Sequence, residues 1–265
     1  MLDTHAHLDD ESFAENLDAV LGRARRAGVE AIVCPAIGAA SSEAVVRLAA
    51  QHAELLAAVG IQPNYCAEAA QHDWDRVVSL VDQPRVVAVG ETGLDRHWDF
   101  TPFDLQQDYF DRHLRLAHRR ALPVVIHCRE AEEDLLPMLH QAAARGPLRG
   151  VIHSFSGDLD FADECVDLGL CVSFAGAVTY RNKKFEPLWQ AAQTVPDDRL
   201  LIETDSPYLV PHPLRGKRKR NEPAHVKLVA ERLAELRGQT VEQIDALTSK
   251  NARRLFGLDR VLPPQ

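Results

Sequence analysis

The sequence predicts an α/β protein built as a single (β/α)8 TIM-like barrel over residues 1–265, with a metal site at the carboxyl ends of its strands. Three observations carry this expectation. Eight short apolar runs rich in Val, Ile and Leu alternate along the chain with segments of helical spacing. Each run is apolar throughout rather than at every second residue, as parallel strands covered on both faces are. A chain of 265 residues also matches the roughly 250 that such a barrel uses as one domain. An open doubly wound sheet is the alternative arrangement of the same units.

Taken in order, the strand-like runs cover Met1 to Thr4, Ala31 to Pro35, Leu55 to Ile61, Val86 to Gly90, Val124 to Ile126, Gly150 to Ile152, Leu170 to Phe174 and Leu200 to Glu203. Between them, apolar residues recur at three- and four-residue intervals in Asn16 to Ala27, Ser42 to His52, Trp74 to Val81, Phe103 to Arg120, Asp134 to Arg145, Leu159 to Leu168 and Lys184 to Thr194, as in amphipathic helices. Glu222 to Leu236 and Val241 to Phe256 read as terminal helices. Neither a linker nor an internal repeat interrupts the alternation.

Hydrophobic residues at 46% and charged residues at 26% exclude a disordered or low-complexity chain. A formal net charge of -9 argues against a protein that coats nucleic acid non-specifically, which needs a broad excess of Lys and Arg. The five cysteines are odd in number and form no Cys-x-x-Cys pair, so reduced thiols in a cytoplasmic protein are expected rather than a disulfide framework. No apolar run reaches the roughly 18 residues of a membrane span. The start MLDTHAHLDD lacks the basic and apolar regions of a leader, so the chain is expected to begin directly with structure.

Metal-binding side chains recur where an α/β barrel builds its active site. His5 and His7 follow the first run, Glu91 the fourth, His127 the fifth, His153 the sixth and Asp205 the eighth. Residues two apart on a strand share a side, so His5 and His7 can bind one cation. A lone His after a strand is usually a hydrogen-bonded structural residue. Repetition at five strand ends is not explained that way. Four His and two carboxylates also exceed the three protein ligands of a usual catalytic zinc. Two divalent ions (Zn, Mg or Mn) sharing a bridging carboxylate fit the set better.

Cationic residues offer substrate contacts. Arg129 lies two residues after His127 and should point with it, its planar fork suited to phosphate oxygens, while Cys128 should point away and, like Cys34, pack in the core. From Arg215 to Arg220 five of six residues, including Lys217, are Lys or Arg. This run reads either as a solvated loop or as an overhang that steers a phosphodiester backbone towards the site.

The segments DTHAHLD, VGETGLD, VVIHCREA, GVIHSFSGD and LLIETDSPYL, in this order, closely resemble the TatD family of metal-dependent deoxyribonucleases, within the amidohydrolase-like barrels. The resemblance runs from Leu2 to TSKNARRLFGL. It implies that His5, His7 and Asp205 hold one metal, that His127 and His153 hold the other, and that Glu91 bridges them. The chain departs from the family pattern after the third run, where Gln62 and Asn64 stand at positions that many relatives fill with His, and in the longer, more basic PLRGKRKRNEP.

The function expected is metal-dependent hydrolysis of DNA phosphodiester bonds by a monomer, trimming the 3′ ends of single strands. Asp205 is the expected general base, Glu91 sets the metal spacing, and Arg129, Gln62, Arg215 and Lys217 are candidate substrate contacts. Glu203 shares the side of Asp205 and is a candidate support. The alternative is ester or amide hydrolysis of the amidohydrolase type, including D-aminoacyl-tRNA deacylation. A barrel that binds metal or a protein without turnover is disfavoured by so complete a ligand set.

Overall fold

The computed structural model describes residues 1–262. Strands β1 (Leu2–Asp3), β2 (Ala31–Pro35), β3 (Leu55–Val59), β4 (Val86–Asp95), β5 (Val124–Arg129), β6 (Gly150–Ile152), β7 (Cys171–Phe174) and β8 (Leu200–Ile202) pair in parallel in chain order. The ring closes between β8 and β1, where Thr4 N donates to Ile202 O at 3.2 Å, Asp205 N to His5 O at 2.8 Å and His7 N to Ser206 O at 2.7 Å. It is therefore a barrel and not an open sheet. Helices α1 (Leu17–Arg26), α2 (Ala39–Gln51), α3 (Asp73–Leu80), α4 (Phe103–Arg120), α5 (Glu132–Ala143), α6 (Leu159–Asp167) and α7 (Glu186–Thr194) fill the crossovers, and α8 (Val226–Arg237) and α9 (Val241–Phe256) follow β8. Among the described residues no helix is long and apolar enough to cross a membrane.

Strand alternation divides the apolar side chains into two layers. Ile32, Cys34, Leu55, Ile126, Val172 and Ile202 belong to the large cluster that also holds the buried faces of the helices. Val33, Leu56, Val125, Val151 and Leu201 form a second cluster inside the barrel, which Ala252, Leu255 and Phe256 of α9 plug. A capping box starts α9, with Thr240 and Gln243 exchanging side-chain to backbone hydrogen bonds. The same alternation positions the chemistry. Two residues beyond Val125, Val151 and Leu201 come His127, His153 and Glu203, which continue the inward face above the apolar plug.

Two strands are longer than the apolar runs indicate. β4 continues through Glu91 to Asp95 and β5 through His127 to Arg129, with Gly93 paired to His127 and Asp95 to Arg129. Glu91 and His127 therefore sit within strands, not after them. Glycines at 90 and 93 look like strand breakers in the sequence. Here Gly93, at φ +138°, permits close approach, since a Cβ built on it would lie 1.9 Å from the His127 carbonyl oxygen. The first of the two terminal helices also begins late: Pro223–His225 form a 3-10 turn before α8.

One buried histidine braces the loop that follows β3. His113 of α4 is fully buried, accepts a hydrogen bond from Ile61 N on Nε2 at 2.9 Å and places Nδ1 2.6 Å from Tyr109 O. Burial lowers its pKa to about 4 against the hydrogen bond to Tyr109, which raises it. The unfolded chain thus takes up this proton near pH 6.5 while the folded one resists. The contribution is complete above pH 6.5 and falls away as the pH drops towards 4, by about 3 kcal/mol in all. His113→Gln can keep both hydrogen bonds without titrating, so urea unfolding from pH 7 to 4 should show a shallower loss of stability than the parent. Parallel curves would refute the neutral buried imidazole.

Candidate metal centre

The six predicted ligands converge on one point at the carboxyl end of the barrel. His5 and His7 leave β1, Glu91 and His127 project from β4 and β5, and His153 and Asp205 follow β6 and β8. His5, Glu91 and His153 are almost wholly buried, at 0%, 3% and 5% exposure. Asp205 takes a left-handed backbone, φ 56°, which Asp tolerates better than most residues.

Glu91 divides this cluster in two. Its Oε2 lies 3.2 Å from His5 Nε2 and 3.6 Å from His7 Nε2, and Asp205 Oδ1 lies 3.7 and 3.6 Å from the same two nitrogens. The two nitrogens are 3.1 Å apart. On the other side, Glu91 Oε1 lies 3.1 Å from His127 Nδ1 and 3.2 Å from His153 Nε2, which are themselves 3.4 Å apart. Donors held at about 2.1 Å around a tetrahedral cation are separated by about 3.4 Å. The observed separations have that length on both sides of Glu91, so the residues fit bound divalent metal. Three overlapping groups have this capacity: His5, His153 and Asp205; His5, His7 and Glu91; and Glu91, His127 and His153.

The charges are mutually adjusted. Burial raises the Glu91 carboxyl, but the His153 charge and hydrogen bonds with His127, His153 and His5 outweigh it and hold Glu91 well below the usual range. Burial also opposes the charged forms of His153, His127 and His7, yet the neighbouring carboxylates raise all three. His5 goes the other way, lowered by burial and by His153, onto which it stacks with ring centroids 3.9 Å apart. Asp205 is held down by His7, His5 and His153 against burial. The result is a buried cluster in which Glu91 and Asp205 favour the charged imidazoles of His153, His127 and His7 and are held ionised by their histidine neighbours.

Behind the candidate ligands stand residues that contact them by hydrogen bond or ion pair. Asp95 Oδ2 lies 2.8 Å from His127 Nε2, and the Asp95 carboxylate also accepts hydrogen bonds from His97 N, Trp98 N and Asn64 Nδ2. Burial opposes its charge, but His127 and Asn64 prevail and bring its pKa down to about 2. Glu203 Oε1 lies 3.5 Å from His153 Nδ1 and accepts from Ser154 N at 2.6 Å. Asp3 accepts from His5 N and from the backbone and hydroxyl of Thr204, tying β1 to the segment after β8. Glu203 is a support that the sequence pattern indicates, whereas Asp95 and Asp3 carry no such signal beyond lying in VGETGLD and DTHAHLD, with Asp95 four residues after Glu91 on the same side of one strand.

The candidate substrate residues divide. Gln62 uses its Oε1 to cap Asn64 N at 2.8 Å, so the residues standing at the relatives' His positions support the Pro63–Glu68 turn and Asp95. Arg129 is exposed, its guanidinium carbon 5.6 Å from the Trp98 ring centroid. Cys128 and Cys34 are buried in the outer apolar cluster, and all five cysteines are unpaired and buried. In the basic run Lys217, Arg218 and Lys219 are exposed. Arg215 lies over the Tyr180 ring at 4.0 Å, and Arg220 is tied to Ser12 O, Asn16 and Glu222 and covers Phe13. Arg220 is thus a structural strut and not part of the free cationic surface.

Known proteins share this sequence and fold. The profile of the family described as "TatD related DNase" matches residues 2–257. An uncharacterized metal-dependent hydrolase, YabD of Bacillus subtilis, is 39% identical over 98% of this chain and 100% of its own. A protein named 3′-5′ ssDNA/RNA exonuclease TatD, from Klebsiella pneumoniae, is 33% identical over 98% of each chain. The crystal structure of YJJV, a TatD homolog from Escherichia coli, superposes with a TM-score of 0.89 at 32% identity, covering 97% of this chain and 98% of the other. With a family match over residues 2–257 and a relative 39% identical along its whole length, the chain belongs to the TatD family of metal-dependent hydrolases.

Proposed function

We propose that the protein removes nucleotides from the 3′ end of single-stranded DNA by hydrolysing phosphodiester bonds, with two divalent ions held on either side of Glu91. The observation that carries this reading is the division of the Glu91 carboxylate, one oxygen towards His5 and His7 and the other towards His127 and His153. When bound, such ions polarise a phosphoryl oxygen and activate water at neutral pH. His5, His7 and Asp205 would hold the first and His127 and His153 the second. Asp95 and Glu203 fix the ring orientations of His127 and His153. Asp205 accepts the proton of the attacking water on its second carboxylate oxygen, its Oδ1 being turned to the imidazoles. Arg129, on the strand that carries His127, grips a non-bridging phosphate oxygen.

The decisive experiment follows oligonucleotides with free and blocked 3′ ends beside a panel of esters and amides, in defined metals. Stepwise release of mononucleotides from the free end only is expected. Faster turnover of esters or amides than of DNA would replace this reading with the amidohydrolase one, and equal internal cutting of the blocked strand would remove the end-trimming mechanism. The exposed part of the basic loop adds affinity. Neutralising Lys217, Arg218 and Lys219 should raise KM for DNA and flatten its log-log salt dependence by up to about 2, with the rate at saturation retained. An unchanged KM at low salt would return these residues to a solvated surface role.

A further inference from the structure

Among the described residues the large hydrophobic side chains left exposed are Tyr65, Trp98, Phe100 and Tyr208, at 38%, 44%, 61% and 56%. All four are aromatic, and all four stand in segments that follow strand carboxyl ends, after β3, β4 and β8. Scattered exposed apolar residues need no explanation. Four aromatics on the face of one metal centre, with none elsewhere in the described chain, do. Two of them make a built surface. The rings of Trp98 and Phe100 lie 5.3 Å apart at 10° from parallel, stacked on each other in the loop after β4 with much of both left exposed.

This pair is fixed to the catalytic machinery. Trp98 N donates to Asp95 Oδ1 at 3.0 Å, and Asp95 Oδ2 holds His127 at 2.8 Å. Two hydrogen bonds thus separate the Trp98 backbone from a metal ligand. Arg129, two residues after His127, places its guanidinium near the Trp98 face. Across the centre, Tyr208 N donates to Asp205 O at 2.8 Å and the Tyr208 ring meets His7 edge-on at 6.0 Å.

We propose that Trp98 and Phe100 form a stacking platform for unpaired bases of the strand whose 3′ end enters the metal centre, with Arg129 beside it to take the attached phosphate. The proposal rests on the single-strand reading above and names the residues that give it. Flat rings accept any base, because every base has a π face, whereas a paired base inside a duplex has no free face to offer. A base laid on Phe100 extends a column that already exists, so little ordering is needed on binding. An interaction with an apolar protein surface would leave the neighbouring charges, the His97–Glu130 pair and the Arg96–Asp134 pair, against apolar groups. A nucleotide strand, polar along its backbone and flat at its bases, meets both.

The test compares oligothymidylate with the same strand carrying abasic residues upstream of its 3′ nucleotide, in the metal-loaded full chain. The parent enzyme should prefer the base-bearing strand in kcat/KM by about 10-fold or more, the range of one stacked base. In Trp98→Ala and Phe100→Ala this ratio should collapse towards one, chiefly through KM, and Trp98→Tyr should restore most of it. A direct readout accompanies the kinetics: the oligonucleotide should quench tryptophan fluorescence in stopped flow before turnover, and the quench should vanish in Trp98→Tyr. Trp74 and Trp189, packed on His113 and bonded to Val178 O, are the remaining tryptophans and should not report. If the parent trims single strands but the base-to-abasic ratio is the same in all variants, the platform is wrong and the single-strand reading stands. If no strand is trimmed, that reading fails and the quench decides the platform: its presence on Trp98 supports it, its absence overturns it.

Discussion

Glu91→Ala should empty both halves of the metal centre and abolish hydrolysis, while the barrel itself survives. Glu91 is the one ligand whose two oxygens face different histidine pairs, at 3.2 and 3.6 Å on one side and 3.1 and 3.2 Å on the other. Its removal strips each donor set of an anion and takes from His5, His127 and His153 the one carboxylate they share. Loss of an outer partner behind a ligand typically costs ~10- to 100-fold, and loss of the shared ligand should exceed that well. Glu91→Gln is the informative companion. It keeps one carbonyl oxygen and no charge, so metal content should fall towards one ion per chain rather than none. The fold should persist in both because the apolar plug of Val125, Val151, Leu201 and Phe256 lies below the site. Metal analysis beside circular dichroism measures the two effects separately. Undiminished activity in a metal-depleted Glu91→Ala protein would sink the shared-carboxylate arrangement.

Much of this site was legible because a barrel turns sequence position into spatial position. The spans Ala31–Pro35, Phe103–Arg120, Gly150–Ile152 and Val241–Phe256 agree at both ends with the apolar pattern, each being bounded by a clear change of composition or period. With the strands placed, the candidate ligands fall at or near their carboxyl ends, where the structure brings them together. What stayed hidden had local causes. The apolar run ends at Gly90 whereas β4 continues to Asp95, and only the longer strand puts Glu91 and Asp95 on a shared side. Asp3, in the same way, looks like an ordinary polar residue at a strand end. Only the closure of β8 against β1 brings Thr204 to it. Arg220 shows the opposite error, because a run of like charges conceals which member is engaged by distant groups such as Ser12 and Asn16. Pattern reveals the candidate ligands; the residues that hydrogen-bond to them depend on contacts between segments far apart in the chain.

Asp205→Asn should separate metal binding from proton transfer. The backbone at this position is left-handed, and Asn adopts that conformation at least as readily as Asp, so the hydrogen bonds Asp205 N to His5 O and Tyr208 N to Asp205 O should remain. The Asn oxygen can stay where Asp205 Oδ1 now sits, 3.7 and 3.6 Å from the nitrogens of His5 and His7, and still coordinate, though more weakly. The five other ligands, with Asp95 and Glu203 behind two of them, are untouched. Metal content should therefore remain measurable. What the amide cannot do is accept a proton from water, and loss of a positioned base costs at least ~10²-fold in rate. The expected result is a protein with substantial metal and a rate lower by that factor or more at saturating oligonucleotide. Raising the metal concentration should restore occupancy without restoring the rate. If added metal brings back both together, Asp205 acts as a ligand alone and the base must be sought in another group.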